Sequence, residues 1–160
     1  MNELVRHLCI VMERRSLVNR WIDHQWEAIA VLPASAHHFE SAEAHCLLCD
    51  EQSEQWLHPA LPLSLHADEV DNYLLNLSAP EPRLFVITRE QDGRSVPFML
   101  SVSYGEAARM LDAGETVDSV ALTEEMWEWV MAFSRDNFRP PEPKKEKRYA
   151  RAPQFQGARS

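Results

Sequence analysis

The chain has 160 residues, enough to bury a core without disulfides or metals. Its 45% hydrophobic and 26% charged residues exclude a wholly disordered polymer. The net charge of −9 hides an asymmetry: residues 139–160 carry seven bases against two acids, a net +5, which leaves −14 on residues 1–138. An acidic body repels phosphate backbones, so nucleic acid is a disfavoured partner and a basic or mixed-charge protein a better one.

Residues 4–13, rich in Val, Leu and Ile, read as a first strand, and residues 26–32 as a second that Pro33 stops. Residues 34–55 are small and polar with little periodicity and read as a long loop with one helical turn. Residues 56–66 look extended, but Pro59 and Pro62 demote them to an edge or broken strand. Residues 72–78 alternate in part and read as another strand. Residues 83–89 form the clearest strand, with β-branched and aromatic residues in sequence. Asp92-Gly93 then signals a turn into a strand over 96–102.

Two helices follow. Ser103 and Glu106 have the spacing of a capping box, in which each side chain takes an orphan amide, and Gly114 is placed to end that helix. The second starts at Thr123, with Glu124 and Glu125 in its positive first turn. Met126, Val130 and Phe133 share one face, and Pro140 and Pro141 end the helix. Trp127 and Trp129, two apart, cannot both face one core, so one is expected buried and the other partly exposed. The expected fold is α+β: an antiparallel meander of about six strands curling into a barrel or sandwich, packed by a C-terminal helix pair. Residues 1–138 would form a single globular domain and residues 139–160 a flexible basic tail, read as a solubilising tail.

Three cysteines, Cys9, Cys46 and Cys49, make an odd count without a secretory signal, which does not suit a disulfide framework. No apolar run approaches the roughly 18 residues of a membrane span. The expected location is the cytoplasm, and no membrane partner is indicated.

The sharpest local motif is His45-Cys46-Leu47-Leu48-Cys49. Two thiols three residues apart can share one metal ion, but a structural zinc site needs four ligands. A site of Cys46 and Cys49 with histidines, such as His45 or others among His37, His38 and His58, would hold zinc. A redox pair is the other option for these thiols, and two plain loop cysteines are the bland one. Apart from zinc, no cofactor is indicated. Arg14, Arg15 and Arg20 beside Trp21 and Trp26 form a basic, aromatic cluster suited to protein recognition. The alternative is arginines paired with local acids around a core Trp26. No Gly-rich phosphate loop, nucleophile elbow or His-Glu-x-x-His helix is present, so no catalytic residues are assigned.

Several blocks together carry a likeness. They are Val11-Met12-Glu13-Arg14-Arg15, Asn19-Arg20-Trp21, Trp26, Ala30-Val31-Leu32-Pro33 and Leu61-Pro62-Leu63-Ser64-Leu65. Tyr73-Leu74-Leu75-Asn76-Leu77-Ser78, Pro82-Arg83-Leu84-Phe85-Val86, Val102-Ser103-Tyr104-Gly105-Glu106-Ala107 and the helix over 127–138 continue it. In this order the chain resembles the bacterial domain-of-unknown-function family 3305. It departs from the family pattern in residues 34–55 and carries Gly105 between the usual tyrosine and glutamate. Family members are typically encoded beside molybdenum- or tungsten-dependent formate dehydrogenases. The resemblance therefore implies a non-catalytic accessory protein for assembly or maturation of such an enzyme, with a dehydrogenase subunit or maturation factor as partner. A small metal-binding or thiol-redox module using Cys46 and Cys49 is the alternative.

Overall fold

The computed structural model describes residues 4–16, 24–41 and 43–140. Among them the chain forms β1 (Val5–Ser16), β2 (His24–Pro33), β3 (His45–Cys49), β4 (Ser53–Ser64), α1 (Val70–Leu77), β5 (Arg83–Gln91), β6 (Arg94–Ser101), α2 (Tyr104–Asp112), β7 (Thr116–Ala121) and α3 (Glu124–Asn137). Short 3-10 turns occupy Ala36–Phe39 and Ala67–Glu69. The α+β class is as expected, but the strands do not close into a barrel. They divide into two antiparallel sheets, ordered β2-β1-β4-β3 and β6-β5-β7.

Both sheets serve one core. Leu8, Ile10 and Met12 of β1 share it with Leu84 and Val86 of β5. Val70, Tyr73 and Leu77 of α1 and Met126, Trp129, Val130 and Phe133 of α3 complete it. Every second residue of β1 points inward, as strand geometry requires. The intervening Cys9 and Val11 join Leu57 in a smaller cluster on the outer face. Trp129 is buried and Trp127 partly so, its indole N–H donating to the Leu77 carbonyl at 3.0 Å.

Four sequence expectations need correction. Residues 72–78 are helical rather than extended. A period of two would bury Tyr73, Leu75 and Leu77 together, yet Leu75 is 61% exposed while Val70, Tyr73, Asn76 and Leu77 are buried at helical spacing. Fully buried Asn76 then ties the helix to its neighbours: its amide donates to the carbonyls of Arg83 and Val102, and its oxygen accepts from the Arg83 N–H.

The second correction is partial: β4 lies between β1 and β3, interior at its start and an irregular edge where the two prolines fall. Strand β3 covers it only from Glu54 to Leu57, so among the described residues Pro59 and Pro62 fall where β1 is the only strand paired with it. A proline there removes no bond from a second ladder. The register also shifts in this stretch, and Ala60 takes a positive φ of 51°. Third, residues 34–55 contain strand β3. Fourth, the link between the two expected helices holds strand β7, whose Asp118 accepts from the Ala28 N–H of β2 at 2.6 Å. Strand β7 carries one buried residue, Val120, so its pattern is faint.

Cap chemistry is largely as read. Ser103 accepts from the Glu106 N–H and Thr123 from the Met126 N–H. Only half of the expected capping box forms, because the Ser103 amide donates to Ser101 Oγ. Gly114, at a φ of 89°, ends α2. The basic tail beyond residue 140 lies outside the described residues.

Candidate functional site

A cavity of about 680 Å³ opens where the start of β1, the end of β2, the first 3-10 turn and the first turn of α3 meet. Val5, Leu32 and Phe39 line it and are 41%, 45% and 56% exposed, and Leu4 beside them is also exposed. An apolar lining left open to water costs solvation free energy that burial against a partner would recover. Polar groups mark its rim. The Arg6 guanidinium lies 4.8 Å from the Trp129 ring centroid and 3.7 Å from Glu125. The His7 ring meets Phe39 edge-on at 5.0 Å.

Arg14 and Arg15 are adjacent on β1 and therefore leave opposite faces of the sheet. Arg14, on the inner face, pairs with Glu54 of β4, and Arg15, on the outer face, pairs with Glu13. Their partners are these glutamates. Glu13 also accepts from the Gln55 amide at 2.7 Å. That bond and the Arg15 guanidinium hold its carboxyl below the usual range, against the cost of burial. Arg20 and Trp21 lie outside the described residues. The cluster read from sequence is thus not one surface at its described positions.

The cysteine motif forms the edge strand β3. Its register against β4 sets Cys46 opposite Trp56, Leu48 opposite Gln55 and Cys49 opposite Glu54, with a shift between Cys46 and Leu48. In a regular strand, residues three apart face opposite ways. The extra residue resets the phase, so both cysteines share the face that carries Trp56 and Glu54. His45, opposite Leu57, is on the other face, away from the thiols. Among the described residues no three His, Cys, Asp or Glu side chains gather to hold a metal. The Cys49 Sγ reaches Glu54 Oε1 at 3.9 Å. Partial desolvation, the Cys46 sulfur and the Glu54 carboxylate raise the Cys49 thiol above its usual range, and Arg14 opposes them.

A further polar centre joins the 3-10 turn and α1 to α2. Buried Glu69 accepts from Ser103 Oγ at 2.6 Å and Asn72 Nδ2 at 3.0 Å, and pairs with Arg109. Burial pushes its carboxyl up, but these three bonds outweigh that and hold it below the usual range. Sequence reading identified Ser103 as a cap and missed its second role, since Glu69 lies 34 residues away. His58, buried on β4, is pushed down to about 4, by burial first and by Arg94 second. Arg94 itself lies over the Trp56 ring at 4.1 Å from its centroid.

A family model described as a protein of unknown function, DUF3305, matches residues 7–148. No curated protein and no solved structure gives a match.

Proposed function

The chain belongs to the DUF3305 family, and from that membership we propose that it is a non-catalytic accessory protein for assembly or maturation of a molybdenum- or tungsten-dependent formate dehydrogenase. The resemblance supplies the partner: a subunit of that enzyme or one of its maturation factors. The observation that carries a binding role is the open groove with exposed Val5, Leu32 and Phe39. Apolar side chains around a concave floor, rimmed by Arg6 and Glu125, suit an apolar segment of a protein flanked by charge. Arg14 and Arg15, already paired with carboxylates, are assigned a supporting electrostatic role together with Arg20, and Trp21 an aromatic contact beside them. Among the described residues no helix is long and apolar enough to cross a membrane. A cytoplasmic location is part of this proposal and follows from the partner it names.

The test is purification of the tagged protein from its host, beside a Leu32→Asp/Phe39→Asp variant. Both side chains are exposed, so the variant keeps its fold. A formate dehydrogenase subunit or maturation factor should accompany the wild type and be retained at least about tenfold less by the variant. The reading fails if neither accompanies the wild type and deletion of the gene leaves formate oxidation intact.

A further inference from the structure

Two thiols that share one face of a bulged strand differ from two thiols in a loop. Their cross-strand partners, Trp56 and Glu54, are two residues apart on β4. At strand rise this puts the cysteine backbones about 6.5 Å apart, inside the roughly 4.4–6.8 Å that a disulfide spans. Both cysteines are exposed, and β3 is the edge of its sheet, so a reagent reaches them without unfolding. Cys9, on β1, is fully buried and takes no part.

We propose that Cys46 and Cys49 form a reversible dithiol–disulfide site that exchanges with low-molecular-weight disulfides. In the forward direction one thiol loses its proton, and its sulfur attacks a disulfide R–S–S–R. An S–S bond breaks, R–S⁻ leaves and takes up a proton, and a mixed disulfide remains. The second cysteine, as thiolate, attacks the protein sulfur of that bond and expels the second R–S⁻, which is protonated in turn. The two protein thiols are oxidised to one S–S bond, and the small disulfide is reduced to two R–SH. His45 faces away, while Glu54, paired with Arg14, also accepts from the Cys49 thiol at 3.9 Å. This site stands apart from the groove and does not depend on the groove's partner.

Reduced full-length protein, equilibrated in mixtures of reduced and oxidised glutathione, alkylated and mapped by mass spectrometry, tests the proposal. The expected product is an internal Cys46–Cys49 bridge that forms and is reduced reversibly as the ratio changes, with Cys9 alkylated only after denaturation. Cys46→Ser and Cys49→Ser should each carry a glutathione mixed disulfide in place of the bridge. Because Cys46 lies opposite Trp56, bridging should quench tryptophan emission in the wild type and much less in Trp56→Phe. Glutathione accumulating on both cysteines without a bridge, covalent dimers as the main product, or a co-purifying metal that protects both thiols would each overturn it.

Discussion

Gly105, the second residue of α2, sits against the side chain of Asn72 on α1. A Cβ at this position would lie 2.6 Å from Asn72 Nδ2, 3.0 Å from Cγ and 3.1 Å from Oδ1. The atom in the way is the end of a side chain, so it can swing aside, but Asn72 Nδ2 donates to the buried Glu69 carboxylate at 3.0 Å. In Gly105→Ala the helix gains about 0.8–1.0 kcal/mol of propensity and loses a hydrogen bond to a charged acceptor, about 1.5–3 kcal/mol. The net expectation is destabilisation by about 0.5–2 kcal/mol. In an Asn72→Ala background that bond is already gone and the space is open, so the same substitution should stabilise by up to about 1 kcal/mol. Urea unfolding of the four proteins, followed by tryptophan emission, closes the cycle. A coupling near 2 kcal/mol, with a slope of about 2 kcal/mol per molar, displaces midpoints by about 1 M. Equal effects of Gly105→Ala in both backgrounds, within about 0.3 kcal/mol, would falsify the contact and the Glu69 network built on it.

Two further outcomes follow from the titrating groups. His58 is buried with its pKa lowered from 6.5 to about 4, so the unfolded chain takes up a proton before the folded one does. Its contribution is whole above pH 6.5 and is lost as the pH falls toward 4, at most about 3 kcal/mol. His58→Gln should flatten the fall of stability over that window, and a slope matching the wild type would refute the assignment. Glu13 and Glu69, held low, add their losses at more acidic pH. At the edge strand, the Glu54 carboxylate raises the Cys49 thiol and Arg14 lowers it. Glu54→Gln should therefore speed alkylation of Cys49 at pH 8 several-fold and Arg14→Gln should slow it. Shifts of the same sign in both variants would count against this electrostatic account.

Much of the fold was legible because its signals are local. The runs in β1, β2, β5 and β6 carry β-branched and aromatic residues, and strand period is a property of a few neighbours. Ser103, Thr123 and Gly114 mark helix ends because cap chemistry needs only the adjacent turn. The stripe of Met126, Val130 and Phe133 names the buried face of α3 for the same reason. The charge split between an acidic body and a basic tail is likewise complete in the chain itself.

What the sequence could not decide was set by pairing at a distance. Residues 70–77 fit both periods until α3 packs on one side and leaves Leu75 in water. Strand β7 gains its identity from hydrogen bonds to β5, since Val120 alone gives almost no pattern. Glu69 is an ordinary carboxylate in sequence and becomes the joint between α1 and α2 only when Ser103 and Arg109 arrive. The Cys-x-x-Cys spacing is silent about which way each sulfur points. That direction depends on a shift in register against β4, and register belongs to two strands at once.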